Sequence, residues 1–343
     1  MGNKVIVGLS GGVDSAVAAA ILKQKGFDVV GVTLSLLTYT SEDSVGCCSF
    51  NDTIDATKVC DIIGIEHLVV SRRKNFKAQV IDPYIAGHKA GIVHNPCVTC
   101  NNQVKIPTLV DFAKHLGANY VATGHYAKVI DGKIVRGDDP NKDQSYFLWD
   151  LPRETVKHLL FPLGEMNKGE VRDIAHKLGL PVAAKKDSTN LCFLEGGTVN
   201  DFLNKHGVDF PSGNIIDTQG KSLGTHKGIN GFVPGQRLPM ASGDGKPKFV
   251  LKVIPEKDTI MVGSKEETYR NTVEIARYGW VDGVAPTSFE GINAVCRYRQ
   301  NPIPVLSIQG QTVFLDGTVS GATPGQSIVF YKGDTVIGGG ILN

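Results

Sequence analysis

The chain has 343 residues, of which 41% are hydrophobic and 20% charged, and its formal net charge at pH 7 is +2. This length exceeds what one compact core accommodates and indicates two or three domains. No apolar run approaches the length of a membrane span and the first strand begins at Lys4, so we expect no membrane segment, no signal peptide and a cytoplasmic location. The small net charge neither requires nor excludes a nucleic-acid partner.

The first predicted elements are a strand, a glycine-rich turn and a helix. The turn has the sequence Gly8-Leu9-Ser10-Gly11-Gly12-Val13-Asp14-Ser15. It follows an apolar run at residues 5–7 and precedes a helix-forming run at residues 16–25. Paired glycines let backbone N–H groups approach an oxyanion, and the start of a helix adds partial positive charge. Ser10 and Ser15 can donate further hydrogen bonds, whereas Asp14 faces phosphate only with a cation between them. The loop therefore predicts a nucleotide bound together with Mg²⁺.

The type of loop follows from what the motif lacks and what it contains. The chain has no G-x-x-x-x-G-K-[ST] motif, and no G-x-G-x-x-G follows the first strand, which disfavours the P-loop and the dinucleotide-binding fold. Residues 10–15 instead resemble the PP-loop of the ATP pyrophosphatases, which cut ATP between the α- and β-phosphates. A turn that needs glycine only for its geometry would explain Gly11 and Gly12 but neither the serines nor Asp14.

The remainder of the first half alternates between strand and helix. Gly26 can end the first helix, and Asn51 and Gly64 can begin and end a second helix over residues 52–63. A capping box at residues 167–170 opens a later helix that closes at Gly179. Further strands are predicted at residues 29–34, 68–70 and 120–122. This alternation predicts an α/β fold with a doubly wound parallel sheet.

Near Phe210 the chain becomes rich in glycine and in short alternating runs. Small antiparallel strands are predicted at residues 229–233, 249–254 and 259–262. The last segment repeats this pattern, and a small closed barrel covers the edges of many short strands. We therefore expect three domains: an α/β domain at residues 1–208, a central β-rich domain at 209–270 and a C-terminal β-barrel at 271–343.

Seven cysteines in a chain expected in the cytoplasm indicate chemistry or metal binding more than structural disulfides. Cys60 shares a helical face with apolar residues, and Cys296 lies in an alternating strand on the face opposite Arg297, so both are predicted to be core residues. Cys47 and Cys48 follow the second strand, at the sheet edge where such folds bind ligands. A functional role and a partly buried loop pair both remain open for them.

Three other cysteines have a more polar setting. Cys97 and Cys100 occupy residues 95–101, which are predicted to form a turn before a helix, and the positive end of a helix lowers a thiol pKa. Cys192 lies in a polar loop shortly after Lys185 and Lys186. Both settings favour the reactive thiolate.

Several motifs occur in order along the chain after the PP-loop. They are the loop containing Cys100, Gly124-His125-Tyr126, Lys142-Asp143-Gln144-Ser145, residues 185–193, Arg297-Tyr298-Arg299-Gln300 and Thr323-Pro324-Gly325-Gln326. Together they resemble the bacterial tRNA-specific 2-thiouridylase family along essentially the whole chain. The resemblance implies a PP-loop domain, a central linker domain, a β-barrel that binds tRNA, and replacement of O2 by sulfur in the wobble uridine of tRNAs for Lys, Glu and Gln.

The same resemblance implies roles for individual residues. Residues 8–15, Leu34 and Gly124 would contact ATP, and Asp14 would hold magnesium. Asn95, Pro96 and Cys97 would line the pocket for the target base. The residues expected to face tRNA are His125, Lys142, Asp143, Gln144, Arg297, Tyr298 and Gln326.

The chemistry agrees with these roles, because a uridine oxygen must be activated before it can leave. Attack of that oxygen on the α-phosphate releases pyrophosphate, and a sulfur nucleophile then displaces AMP. The resemblance implies a persulfide on Cys192, which Cys100 attacks or releases by closing a disulfide. The sulfur donor would be a cysteine desulfurase, a sulfur-relay protein or free sulfide.

Cys97 departs from the family pattern, which has aspartate there. Cys97, Cys100 and Cys192 together offer three thiolates, enough for a four-iron four-sulfur cluster with one open iron that could deliver sulfide. Zinc usually requires a fourth ligand, for which only His94 is near in sequence. Persulfide relay, cluster and a simple polar replacement at Cys97 all remain open. Residues 91–94 also depart from the family, which often has a basic residue and a proline there.

Two other functions deserve comparison. A PP-loop ligase that delivers ammonia to an adenylated carbonyl needs no cysteine pair, so Cys100 and Cys192 argue against it. A non-catalytic RNA-binding or iron-sensing protein would have no need to retain the complete motif at residues 10–15.

Overall fold

The computed structural model describes residues 3–37, 50–187, 190–194, 196–241 and 246–343. Within these ranges the α-helices, in chain order, are α1 (Val13–Gln24), α2 (Phe50–Ile63), α3 (Arg73–Phe76), α4 (Asp82–Lys89), α5 (Pro96–Cys100), α6 (Ile106–His115), α7 (Arg153–Val156), α8 (Lys168–Lys177) and α9 (Val199–Lys205). Two π-helical stretches, Lys77–Ile81 and Asn101–Lys105, continue α3 and α5. No helix in these ranges combines the length and the apolar character that crossing a membrane requires.

The strands of the same ranges are numbered in chain order. They are β1 (Lys4–Gly8), β2 (Asp28–Ser35), β3 (Glu66–Ser71), β4 (Tyr120–Ala122), β5 (Ala127–Ile130), β6 (Lys133–Arg136), β7 (Leu159–Leu160), β8 (Gly213–Ile216), β9 (Ser222–His226), β10 (Arg237–Ala241), β11 (Pro247–Ile254), β12 (Thr259–Gly263), β13 (Tyr269–Trp280), β14 (Ile292–Val295), β15 (Ile303–Gln309), β16 (Thr312–Ser320), β17 (Ser327–Lys332) and β18 (Thr335–Leu342).

The chain forms two compact units. The first consists of Met1–Ile81, Pro96–Gly196 and Asp334–Ile337. The second consists of Asp82–Asn95, Gly197–Gly333 and Gly338–Asn343. Neither unit is therefore one continuous piece of chain.

The first unit contains a five-stranded sheet in the order β3-β2-β1-β4-β7, and its strand pairings are parallel. Alternate residues of a strand face opposite sides of a sheet. Val5 and Val7 pack with Ala19 of α1 and Ala56 of α2, whereas a side chain at Gly8 would meet Leu109 of α6 on the other side. Helices thus cover both faces, which confirms the predicted doubly wound sheet.

Local sequence signals locate most helix ends of this unit correctly. α1 ends just before Gly26, which has a φ of 83°. α8 begins at the predicted capping box, in which Asn167 accepts from the Glu170 backbone and the Glu170 side chain accepts from the Asn167 backbone. The prediction for Asn51 is wrong, because α2 already includes Phe50 and Asn51 lies inside it.

The second unit contains a five-stranded sheet in the order β10-β11-β12-β8-β9. β11 and β12 confirm two predicted strands, and Val250 and Ile260 of these strands lie fully buried in the core. The strand predicted at residues 229–233 is wrong, because these residues form turns. Ile229 is nevertheless buried in the same core.

Most of a closed antiparallel barrel belongs to the second unit, as predicted, and the first residues of its strand β18 belong to the first unit. The six strands of the barrel follow the order β13-β16-β15-β14-β17-β18, and the pairing of β13 with β18 closes the ring. β14 ends at Val295, so Cys296 lies in the turn after it rather than in the predicted strand.

Candidate active site

The glycine loop follows β1, which pairs with β2 on one side and β4 on the other. Ligands bind at the carboxyl ends of parallel strands where the strand order reverses in this way. Gly124 follows β4, and a Cβ there would lie 2.7 Å from the Asp14 carbonyl carbon and from the Ser15 nitrogen. Gly11 has a φ of 70°, and its Cβ would collide with the Asp52 backbone. Both glycines allow backbone to approach backbone around the loop.

Hydrogen bonds inside the loop set the shape of its turn. The Ser15 hydroxyl is buried, donates to the Gly12 carbonyl at 3.2 Å and accepts from the Ser10 N–H at 3.1 Å. The Ser10 side chain is exposed, and its Oγ lies 3.2 Å from the Ser15 Oγ. Ser15 therefore holds the loop, and Ser10 lies where a ligand oxygen can reach it.

Asp14 contacts two donors that come from distant parts of the chain. Lys168 Nζ donates to both carboxylate oxygens, at 2.7 and 2.9 Å, and the Tyr126 hydroxyl donates to Oδ1 at 2.7 Å. Burial, and then the charge of Asp14, raises the pKa of Tyr126, so this phenol stays protonated and continues to donate. The loop carboxylate is thus paired with a cation at the edge of the sheet.

The Asp187 carboxylate contacts three cations. Its oxygens lie 2.7 Å from Lys142 Nζ, 2.8 Å from Lys168 Nζ and 2.8 Å from the Arg172 guanidinium. Burial raises the pKa of Asp187, but the hydrogen bonds from Lys142 and Lys168 outweigh it and lower the value to about 2. Asp187 is therefore ionised at physiological pH and joins α8 to the segment around Lys142.

Lys185 ties the glycine loop to α2. Its Nζ donates to the Gly11 carbonyl at 2.9 Å, to Asp52 at 2.7 Å and to Asp55 at 2.6 Å. Burial lowers the pKa of Lys185, but the hydrogen bonds to the two carboxylates raise it by more, so that the net shift of the pKa is upward. The ammonium group therefore remains charged beside the loop.

Sequence reasoning missed most of this charged cluster. Lys168 was hidden inside a capping box, and the Lys185-Lys186 pair reads equally well as solvated surface. Tyr126 was identified only as part of a motif. The one signal available was the position of the Gly-His-Tyr motif directly after a predicted strand, because the ends of parallel strands meet at one edge.

The segment expected to face tRNA is tied back to the loop by its own residues. Gln144 and Tyr126 exchange two hydrogen bonds, of 3.0 and 2.8 Å, through the Gln144 side chain and backbone. Asp143 is only 7% exposed, and its oxygens accept from the Gly137 backbone, the Ser145 backbone and hydroxyl, and Arg136. The Asp143 carboxylate therefore stabilises the turn through these hydrogen bonds, and the contact of Asp143 with tRNA stays a prediction.

His125 follows Gly124 after β4. Its Nδ1 lies 2.6 Å from the Thr123 hydroxyl. Burial, and then the nearby Lys105, lowers the pKa of His125 to about 3. A neutral imidazole at this place can stack or share a hydrogen bond, but it brings no positive charge to an RNA phosphate.

Cys97 and Cys100, two of the three cysteines predicted to be reactive, lie in a setting different from the predicted one. Cys97 and Cys100 are already inside α5, which the π-helical stretch joins to α6, so the predicted turn is wrong. Cys100 is buried, Cys97 and Cys192 are half-buried, and all three are thiols. Across the ranges described above, no three His, Cys, Asp or Glu side chains are grouped to hold a metal. Among the described residues, Cys97, Cys100 and Cys192 are thus not arranged as a metal-binding group.

The remaining cysteines divide into two groups. Cys60 and Cys296 are buried, as predicted, and burial raises the pKa of each thiol to about 12. Cys47 and Cys48 lie outside the described residues. Leu34, expected to contact ATP, is the last residue but one of β2 and is 5% exposed.

The expected tRNA-facing residues of the second unit behave in two ways. Arg297 is exposed in the turn after β14, where the Arg299 guanidinium lies 5.2 Å from the centre of the Tyr298 ring. Gln326 is half-buried and its amide donates to the Val93 carbonyl at 2.6 Å. Its side chain thus has a partner within the protein, and its contact with tRNA stays a prediction.

A parallel sheet with a glycine loop, a helix start and a cationic cluster at its switch point defines a nucleotide-binding α/β protein. Three family models match the chain: the tRNA methyl transferase HUP domain at residues 3–196, the tRNA methyl transferase PRC-barrel domain at 200–264 and the aminomethyltransferase beta-barrel domain at 270–342. Relatives named tRNA-specific 2-thiouridylase MnmA are 39% identical in Gloeothece citriformis and 37% identical in Acidithiobacillus ferrooxidans. These alignments cover 99% and 98% of this chain, and 99% and 97% of the relatives. The chain belongs to the tRNA-specific 2-thiouridylase family, as the motifs predicted.

Among solved structures, a 4-thiouridine synthetase–RNA complex with bound ATP is similar to this chain. The alignment covers 59% of this chain and 50% of that chain. The sequence identity is 18% and the TM-score 0.36.

Proposed function

We propose that this chain uses ATP to replace O2 of the wobble uridine by sulfur in tRNAs for Lys, Glu and Gln, giving 2-thiouridine. The observation that carries this proposal is the match, over nearly the whole length of both chains, to relatives with that name. Because the proposed substrates are tRNA and ATP, we also propose a cytoplasmic location. The charged cluster at the sheet edge supplies what the activation step requires.

In the first step the uridine O2 attacks the α-phosphate of ATP, a P–O bond forms, and pyrophosphate leaves. Residues 8–15, Leu34 and Gly124 are the proposed ATP contacts. Lys168 and Lys185 would place two ammonium groups near the leaving phosphates, where negative charge develops.

Asp14 is the proposed ligand for Mg²⁺. One carboxylate together with phosphate oxygens and water is a usual ligand set for this ion, and the Asp14 side chain is 34% exposed at the loop. When bound, the ion would neutralise charge on the pyrophosphate. When the ion is not bound, Lys168 donates to both Asp14 oxygens and compensates the carboxylate.

In the second step the outer sulfur of a Cys192 persulfide attacks C2 of the adenylated base, and AMP leaves. The Cys100 thiolate then attacks the Cys192 sulfur. This breaks the S–S bond to the base, releases 2-thiouridine and leaves a disulfide between the two cysteines, which a dithiol reductant reopens. A desulfurase, a sulfur-relay protein or sulfide would reload Cys192. We favour this relay over a cluster because the three cysteines do not form a metal-binding group in the described residues.

Binding of the tRNA is assigned to both units. Asn95, Pro96 and Cys97 are proposed to line the base pocket, and His125 is proposed to face the tRNA as a neutral imidazole. Lys142 and Gln144 would contact the RNA beside it, and Arg297 and Tyr298 would bind it from the barrel. Asp143 supports the turn that carries Lys142.

The test is thiolation of unmodified tRNA by the purified, full-length protein with ATP, Mg²⁺ and a persulfide donor. We expect 2-thiouridine and pyrophosphate in equal amounts. Cys192→Ser removes the sulfur carrier, so thiolation falls by at least about a thousandfold while pyrophosphate release persists. Cys296→Ala serves as the control. It removes a buried thiol whose pKa is raised to about 12, so that this thiol stays protonated.

Two results would contradict the proposal. Wild-type protein that produces neither 2-thiouridine nor tRNA-dependent pyrophosphate rules out the function itself. Iron that co-purifies anaerobically with the parent and is lost in Cys97→Ala rules out the persulfide relay alone.

A further inference from the structure

The π-helical stretch that follows Cys100 begins with a buried asparagine. Asn101 is only 2% exposed, and its carbonyl accepts from the Ile106 N–H, five residues further along. Hydrogen bonds of this span are rare in helices and occur often at functional sites. The Asn101 side chain thus lies inside the first unit, next in sequence to the thiol that the proposed function assigns to the release of the product.

The two polar atoms of the Asn101 amide are in unequal settings. Nδ2 donates to the Phe147 carbonyl at 3.2 Å. Oδ1 is buried and accepts no hydrogen bond from any residue that the structure describes. A buried acceptor without a donor costs free energy, because it has lost its contact with water and gained no partner. An apolar side chain of the same size would avoid this cost, so folding alone does not require an amide at this position.

The partner of Asn101 belongs to the segment that carries the proposed RNA contacts. The Phe147 N–H donates to the Gln144 carbonyl at 3.0 Å, and Gln144 exchanges two hydrogen bonds with Tyr126. The Tyr126 hydroxyl in turn donates to Asp14 at 2.7 Å. All these residues belong to the first unit. A continuous series of hydrogen bonds and short backbone links therefore joins the Asn101 side chain to the glycine loop.

We propose that Asn101 is a positioning residue that fixes Cys100 relative to Lys142 and Gln144. This inference rests on the proposed function, in which the Cys100 thiolate attacks the Cys192 sulfur while the RNA is held nearby. The attack requires the Cys100 sulfur to lie in line with the S–S bond that breaks, so a small displacement of α5 slows it. Formation of the adenylated base comes earlier and does not use Cys100. Asn101 therefore acts on the release of 2-thiouridine and not on the release of pyrophosphate.

The first experiment compares Asn101→Leu with the wild-type enzyme, each loaded with persulfide and reacted for a single turnover without reductant. Leu has nearly the same volume, and it removes both the donor to Phe147 and the unpaired Oδ1. We expect the rate of 2-thiouridine release to fall about tenfold, while pyrophosphate release at saturating tRNA stays within about twofold. The tRNA joined to Cys192 through the S–S bond should accumulate as a covalent adduct that a dithiol reductant cleaves.

The matched control is Gln103→Met, which removes an exposed amide from the same π-helical stretch. It should change neither rate and should produce no adduct.

A second measurement needs neither tRNA nor ATP. Alkylation of Cys100 by iodoacetamide, followed by mass spectrometry of its peptide, should be about fivefold faster in Asn101→Leu, because α5 has lost one of its attachments. The neighbouring Asn102 still donates to Asp150 at 3.1 Å, and the unpaired oxygen is gone, so the melting temperature should not fall. Gln103→Met should react like the wild type.

Two results would overturn the inference. Equal losses of 2-thiouridine and pyrophosphate release, together with a lower melting temperature, would make Asn101 a residue of the core only. An unchanged rate of alkylation at Cys100 would show that Asn101 does not hold α5. If the wild-type enzyme releases no 2-thiouridine, the proposed function fails, and the alkylation rates still show whether Asn101 positions Cys100.

Discussion

Lys168 holds a carboxylate that is also the proposed magnesium ligand. Its Nζ lies within 2.9 Å of both Asp14 oxygens and 2.8 Å from Asp187, and its side chain is only 14% exposed. In this position the ammonium group neutralises the charge of Asp14 when no other cation is present. Once Mg²⁺ binds Asp14, the ion neutralises that charge instead. Lys168 would then be available to the phosphates of ATP.

Substitution of Lys168 tests this role. We expect Lys168→Met to lower kcat/KM for pyrophosphate release from ATP by about a hundredfold, the usual effect of removing one donor to a developing anion. Lys177→Met, at an exposed lysine in the last turn of the same helix, should leave it unchanged. A Lys168→Met enzyme that melts like the wild type and keeps its full kcat/KM would exclude Lys168 from phosphate binding.

Individual residues were harder to predict than their types. The sequence placed the glycines, serines and aspartate of the loop, because their backbone conformations and short-range hydrogen bonds depend on neighbours within a few positions. The partners of Asp14 could not be found, since Lys168 lies 154 residues away in the chain. Asp143 and Gln326 were predicted to face RNA, and only the fold shows that their side chains have partners inside the protein.

Helix α8 presents two cations on one face to Asp187. Lys168 and Arg172 are four residues apart, which places them side by side on a helix. The capping box at Asn167 fixes the start of the helix and hence the direction of both side chains. Arg172 also donates to the carbonyls of Ala183 and Lys185, so α8 holds the chain leading to Asp187.

This arrangement predicts that loss of the Asp187 charge affects pyrophosphate release and sulfur transfer unequally. Asp187→Asn keeps the shape but removes the charge that pairs with three cations, and Cys192 lies five positions further along the chain. We expect 2-thiouridine formation to fall about tenfold, with a smaller loss of pyrophosphate release, so that more AMP forms per sulfur transferred. Asp173→Asn, at an exposed aspartate of α8, is the matched control. Equal losses in both steps would show that Asp187 serves the nucleotide site only.

Apolar patterns predicted burial more reliably than strand pairing. Residues 229–233 look like a strand, and Ile229 does enter the core, yet the segment turns. Gly228 and Gly231 have φ values of 131° and 84°, which an extended strand does not allow. Burial follows from side-chain chemistry, whereas pairing also requires a neighbouring strand with open hydrogen bonds.

At the scale of the whole molecule, the two units differ in how their charged side chains are paired and exposed. The first unit holds the compensated charges of the phosphate site, whereas the turn after β14 in the second unit exposes Arg297. A basic side chain that contacts an RNA phosphate releases counterions, which makes binding depend on salt.

Arg297→Gln should therefore raise the Kd for tRNA and reduce the slope of log Kd against log salt concentration by about 0.7–0.9. Pyrophosphate release at saturating tRNA should not change. Lys332→Gln is the control, because Lys332 pairs with Ile292 at the opposite end of β14. If both variants have the wild-type salt slope, the turn after β14 does not bind the RNA backbone.

The sequence by itself determined the order of most strands and helices, the phosphate loop and the family, because each motif behind them depends on residues that are close together in the chain. Only the tertiary structure decided that Asp14 meets Lys168, that Asp143 is buried, and that Gln326 binds Val93 from 233 residues away. Local backbone preferences are set by immediate neighbours. Long-range partners depend on which strand ends and turns the topology brings together, and no local pattern contains that information.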